Sequence, residues 1–167
     1  MATAIWCTPL TIKKNSVING DLDDDKLTYV IKNAQLIHIQ NYLGTDLYEG
    51  LQTRSLAGTL TDIENALIDN YIEPALVFWS LSEYVYTGAY NISNKGILKH
   101  SDEQSETVSR DEIVSLGQSY EKTAQHFTER LVEYLCDKSN LFPEYSSNTG
   151  SDINPDKSSS YGGLYLD

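Results

Sequence analysis

The run Ala75-Leu76-Val77-Phe78-Trp79, directly after Pro74, is apolar on every side of a helix. In a water-soluble chain such a segment has no polar face to show to solvent, so it must be a helix surrounded by others. Core packing is the expectation; a cofactor pocket lined by Phe78, Trp79 and Tyr84 is the alternative. The class that follows is mainly α, a compact helical bundle of about four helices with this segment as its central strut. Thr61-Asp62-Ile63-Glu64 has the form of a capping box and opens the helix to which the strut belongs. Ile63, Leu67, Tyr71, Phe78, Leu81 and Val85 are its apolar positions, and Pro74 removes one backbone donor, which predicts a kink near the middle.

Three further helices supply the surroundings. Ser109-Arg110-Asp111-Glu112 is a second capping box. It leads into Ile113, Leu116, Tyr120, Ala124, Phe127, Leu131 and Leu135, which step by three and four and predict an amphipathic helix ending near Lys138. Asp21, Asp23, Asp24 and Asp25 precede Leu27, Val30, Ile31, Ala34 and Ile37, again at helical spacing, with Gly44 as the stop. Acidic residues in a first turn are favoured by the helix dipole, by about 0.3–1 kcal/mol each. The same aspartates imitate the first ligands of a calcium loop, but that loop needs Gly where Lys26 stands and Glu where Lys32 stands. A short helix is expected from Thr45 to about Leu56, with Thr45 or Asp46 as N-cap and Leu47, Tyr48 and Leu51 facing inward.

The ends and one insertion read differently. Residues 1–20 predict an extended arm, because Thr8-Pro9 disfavours helix around the proline, Leu10, Ile12, Val17 and Ile18 are strand-like, and Asn19-Gly20 marks a turn. Ile92 to Leu98 predicts a small β-hairpin or loop insertion turning at Asn94 to Gly96, followed by a polar linker from Ser101 to Thr107. After Tyr145 the composition turns to Ser, Asn, Gly and Asp, predicting a flexible C-terminal tail that ends in the apolar anchors Tyr161, Leu164, Tyr165 and Leu166. The expected organisation is an arm at 1–20, a helical domain at 21–145 and a Ser-rich tail at 146–167.

Charge narrows the partners. The formal net charge is −12; residues 1–100 carry 7 basic against 11 acidic residues, and residues 101–167 carry 5 against 13. A tight grip on nucleic acid needs clustered Lys and Arg that displace phosphate counterions, and no such cluster exists here. Met1 to Leu10 lacks the pattern of a secretory signal, and the longest apolar stretch falls far short of the roughly 20 residues of a membrane span, so a soluble protein is expected. Cys7 and Cys136 fit neither a metal spacing nor a disulfide framework, which favours a reducing compartment.

Nothing in the sequence marks catalysis. His38, His100 and His126 have no second ligand at i+4, and His126 with Glu129 is only half of a metal pair, which a solvated helix face explains. No phosphate loop, nucleophile elbow or paired-cysteine motif is present. The expectations are therefore no enzyme, no cofactor and no metal. Two binding roles remain: a structural assembly subunit, or an acidic helical interaction module such as a DNA mimic or adaptor.

Four ordered segments bear on that choice. They are Asn19-Gly20-Asp21-Leu22-Asp23-Asp24-Asp25-Lys26-Leu27, then Ile39-Gln40-Asn41-Tyr42-Leu43-Gly44-Thr45-Asp46-Leu47-Tyr48, then Tyr71-Ile72-Glu73-Pro74-Ala75-Leu76, and last the pair Asn94-Lys95-Gly96 and Phe142-Pro143-Glu144-Tyr145. In this order they resemble the small helical head-to-tail connector proteins of tailed bacteriophages, most closely the neck ring proteins of crAss-like phages. The resemblance spans roughly residues 10–145 and rests on structural rather than chemical motifs. It implies a virion protein of the neck, assembled in the host cytoplasm as a homo-oligomeric ring, a dodecamer, beneath the portal protein and against neighbouring neck or tail rings. DNA would pass its lumen without specific binding, and an acidic wall suits that passage because it repels phosphates. Within this reading the expected subunit or partner contacts are Thr45, Asp46, Leu47, Tyr48, Leu51, Asn94, Lys95, Tyr161 and Tyr165.

Overall fold

The computed structural model describes residues 3–17, 22–88, 90–93, 96–99, 109–147, 149 and 152–158, and it is mainly α-helical. Four rods dominate. The first joins α2 (Asp24–Ala34), a π-helical turn (Gln35–Ile39) and α3 (Gln40–Leu43); the second is α4 (Thr45–Ala57). The third joins α5 (Asp62–Leu67), a second π turn (Ile68–Ile72) and α6 (Glu73–Thr87); the fourth is α7 (Arg110–Asp137). Two short helices complete the bundle, α1 (Pro9–Lys14) before the first rod and α8 (Pro143–Ser147) after the last. Between α6 and α7, β1 (Tyr90–Ser93) and β2 (Gly96–Lys99) pair antiparallel with Ile92 opposite Ile97. An isolated two-stranded ribbon has little stability of its own, so the fold class rests on the helices.

The helix starts follow their local chemistry. Thr61 and Ser109 both form complete capping boxes, with Glu64 and Glu112 returning to the cap backbone. Asp23 caps α2 by accepting from the Asp25 amide at 3.0 Å. At Gly44 the chain turns with φ 74°, a conformation that favours glycine, and α4 begins without a side-chain cap. The expected N-cap role of Thr45 or Asp46 is thus corrected: Thr45 is already inside the helix, and its hydroxyl is used elsewhere.

Pro74 acts through the turn that precedes it. The ring would clash with the carbonyl four residues back and offers no N–H to it. The helix widens into the π turn Ile68–Ile72 before resuming as α6. The other π turn shifts the inward stripe of the first rod, so that Ile39 is buried while Ile37, expected inside, is 60% exposed. The stripe also loses contact at two helix starts, where Ile63 and Leu116 are exposed.

Helix α6 packs against α2 on one side and α7 on the other. Ala75, Leu76, Val77, Trp79 and Leu81 are buried, and Phe78 is half-buried, as expected of a central strut. The indole N–H of Trp79 donates to Thr128 Oγ1 at 3.0 Å, fastening α6 to α7. Gly117 lets the start of α7 approach α6 closely, since a β-carbon there would run into the Tyr86 ring.

The extended arm is a second correction. Thr8 is extended, as a residue before proline must be, and that conformation is also what an N-cap requires. Its hydroxyl accepts from the Thr11 amide at 3.1 Å, and Pro9 opens α1. Trp6, Cys7 and Ile12 are buried in the common core, whereas Val17 is exposed. The turn expected at Asn19-Gly20 lies outside the described residues.

Candidate functional site

The corner between α3 and α4 is held by hydrogen bonds to residues 107 and 108 positions further along the chain. Thr45 N donates to Ile153 O at 3.0 Å, Ile153 N donates to Thr45 Oγ1 at 3.1 Å, and that hydroxyl donates to Asp152 Oδ2 at 3.0 Å. Asp156 N donates to Asn41 O at 2.9 Å, and Lys157 Nζ stands 4.8 Å from the centre of the Tyr145 ring. Thr149 Oγ1 donates to Asp46 Oδ2 at 3.3 Å. Phe142 and Tyr145 are core residues, as their place in the helical domain requires, and residues 152–158, expected within a flexible tail, are bonded to that domain.

The expected contact residues separate into three groups. Leu47, Tyr48 and Leu51 are buried in this chain's own core, where the apolar inner face of α4 has to be placed, and therefore offer no surface to a partner. Thr45 and Asp46 hold the 149–158 segment. Asn94, Lys95, Tyr161 and Tyr165 lie outside the described residues, as do His100 and the linker expected at Ser101 to Thr107.

A cross-linked acidic cluster ties the second rod to its neighbours. Arg54 Nε lies 2.6 Å from Glu64 Oε1, an ion pair without hydrogen-bond alignment, and Arg54 Nη1 donates to Glu144 Oε1 at 3.0 Å. Glu64 is buried, and its other carboxylate oxygen takes both the amide and the hydroxyl of Thr61. A buried carboxylate so satisfied is a structural clamp. His38 is equally occupied: its ring stacks on Trp79 at 3.8 Å, and Nε2 lies 3.0 Å from Glu83 Oε1.

Two surfaces were not singled out by sequence. The first is an aromatic seam. Tyr120, Phe127 and Tyr134 recur every seven residues on α7 and meet Phe78 and Tyr71 of the third rod; Tyr71 stacks on Tyr134 at 4.2 Å and Phe78 on Phe127 at 5.4 Å. These rings are only partly buried. Arg130 stands over the seam, 5.8 Å from the Tyr71 centroid and 5.9 Å from that of Phe127. Tyr71, Arg130, Glu133, Tyr134 and Asp137 line an open groove of about 300 Å³. The seven-residue recurrence was legible, but nothing local said that the rings would stay half-exposed. The second surface is on the first rod, where Tyr29, Leu36 and Ile37 are 66%, 48% and 60% exposed. Ile37, expected on the inward stripe, lies outside it within the π turn.

Burial pushes the Cys7 thiol up to about 12, with the nearby Glu73 carboxylate adding to the effect. Burial also raises the Tyr145 phenol, with contributions from Cys136 and Asp156. Neither group is poised as a nucleophile near neutral pH. Among the described residues no three His, Cys, Asp or Glu side chains converge as metal ligands, and no helix is long and apolar enough to cross a membrane.

No curated protein and no solved structure matches the chain. Residues 39–155, well over half of it, match DUF6712, a family of unknown function, and the chain belongs to that family.

Proposed function

We propose that this protein is a structural virion subunit without catalytic activity, forming a homo-oligomeric ring between portal and tail of a tailed bacteriophage. The ring acts as head-to-tail adaptor and as a passage for DNA. The ordered segments from Asn19 to Tyr145 suggest the role, and the net charge of −12 suits a wall past which DNA moves without adhering.

The observation that carries the reading is the groove at Tyr71, Arg130 and Tyr134. Tyrosine and arginine are, with tryptophan, the residues that most often anchor protein interfaces, and here Tyr71 stacks on Tyr134 beneath Arg130, with a polar rim of Glu133 and Asp137. A closed ring needs a heterologous contact, one surface of each subunit meeting a different surface of the next. The groove supplies one such surface on α7.

Light scattering and negative-stain microscopy of the purified protein, alone and mixed with a portal, test the proposal. Rings, or a complex with the portal, are expected, and Arg130→Ala should weaken either one. Persistent monomers that never engage a portal would overturn it.

A further inference from the structure

Two surfaces of the bundle lie on different flanks of the strut and carry opposite charge. On the α7 flank is the groove of stacked Tyr71 and Tyr134, which holds two carboxylates, Glu133 and Asp137, and one cation, Arg130. On the other flank is the first rod. There Tyr29 and Leu36 stand on the side turned away from buried Leu27, Ile31 and Ala34, and so away from α6. Exposed Lys26 and Lys32 flank Tyr29 three residues to either side, and Asp25 is the exposed anion beside them.

That local excess of cations is set in a chain with 24 acidic residues against 12 basic ones. Two copies of so acidic a chain repel each other over most orientations, because like charges brought together at an interface are costly. A contact between copies is favoured only where a basic face of one meets an acidic face of the other. Asp137 is also engaged by Lys138 at 2.8 Å, whereas Lys26, Lys32 and Glu133 form no ion pair among the described residues.

We infer that the first-rod face of one copy seats on the α7 groove of the next. Tyr29 and Leu36 then cover the Tyr71–Tyr134 rings, and Lys26 and Lys32 meet the rim of Glu133 and Asp137. The apolar side chains of both faces leave water together, and the charges set the register. The inference rests on the reading of the chain as a ring subunit and names the second surface that a heterologous contact requires. Because the two faces lie on different flanks, filling one leaves the other open to a further copy, and the contact can repeat.

Cross-linking of the full chain between copies tests this, in whichever condition assembles the wild type, alone or with a portal. In a Cys136→Ser background, with Cys7 buried, Leu36→Cys and Asp137→Cys are made as separate proteins and treated with a short bismaleimide. Cross-linked dimers are expected in the mixture and in neither protein alone. Dimers of either variant alone, or none in the mixture, overturn the contact. Charge reversal is an independent measurement at exposed positions. Lys32→Glu and Glu133→Lys should each weaken self-association about ten-fold, and the chain carrying both should recover most of it. Single variants that assemble like the wild type, or a double variant no better than either, overturn the inference. Light scattering separates the two ideas. Rings that ignore these substitutions sink only the contact, whereas a wild type that stays monomeric and engages no portal sinks the ring and this contact with it.

Discussion

The two ends of the described chain attach to the same pair of rods by different physics. Residues 3–17 sink Trp6, Cys7 and Ile12 into the core. Two glutamines then satisfy the backbone around them. Gln52 takes both sides of Ala4, accepting from its N–H at 2.7 Å and donating to its C=O at 3.0 Å. Gln35, itself buried, donates to Ala4 O at 2.9 Å and accepts from Trp6 N at 3.1 Å. Residues 152–158 instead lie on the surface and are held by hydrogen bonds to Thr45 and Asn41. Buried apolar area stabilises in proportion to its extent, whereas each hydrogen bond exchanged with water contributes little. The N-terminal segment should therefore be part of the cooperative fold, and the C-terminal one an attachment to it.

The comparison stands or falls on stability measurements by chemical denaturation. Ile12→Ala should cost the most, about 2–5 kcal/mol, because a fully buried side chain of the common core is removed and leaves a cavity. A cost under about 1 kcal/mol would make α1 peripheral after all. Gln35→Ala should cost about 1–3 kcal/mol, since it leaves the Trp6 amide and the Ala4 carbonyl less well paired in a buried place. Removing the residues after Ser147, or changing Thr45→Val, should cost only about 1 kcal/mol and leave helicity by circular dichroism unchanged. Unfolding of the truncated chain would show that the two ends are alike.

The smallest effect at neutral pH belongs to Cys7. Its folded-state pKa lies above its unfolded one, so the buried neutral thiol contributes fully below about pH 9, and that contribution is lost as pH rises toward about 12. Wild type should lose on the order of 1 kcal/mol more than Cys7→Ala between pH 8 and about pH 10.5. Equal losses would mean that Cys7 is reachable by water and the N-terminal segment loosely packed.

Much of the helical frame was legible. A capping box is a contact between residues three apart, so Thr61 with Glu64 and Ser109 with Glu112 could be read without knowing anything distant. The all-apolar run at Ala75 to Trp79 was likewise expected to be a strut, and all of it but half-buried Phe78 is buried. The proline before it was legible as a disturbance, but its form, a π turn at Ile68–Ile72, reflects how the whole rod relaxes around it. Of the candidate contact residues, Leu47, Tyr48 and Leu51 were correctly placed on the inner side of α4, and for that reason they are unavailable to a partner.

By itself, then, the sequence determined the helical class, the starts of its main helices and the identity of the central strut, because those follow from interactions within a few residues. Only the tertiary structure decided the fate of the ends and the location of exposed apolar surface. Gln35 and Gln52 reach Ala4 from 31 and 48 residues away, and Thr45 reaches Ile153 from 108 residues away. Contacts at such separations leave no local pattern, and whether Trp6 is buried or Tyr29 exposed depends on which rod has already taken the space beside it.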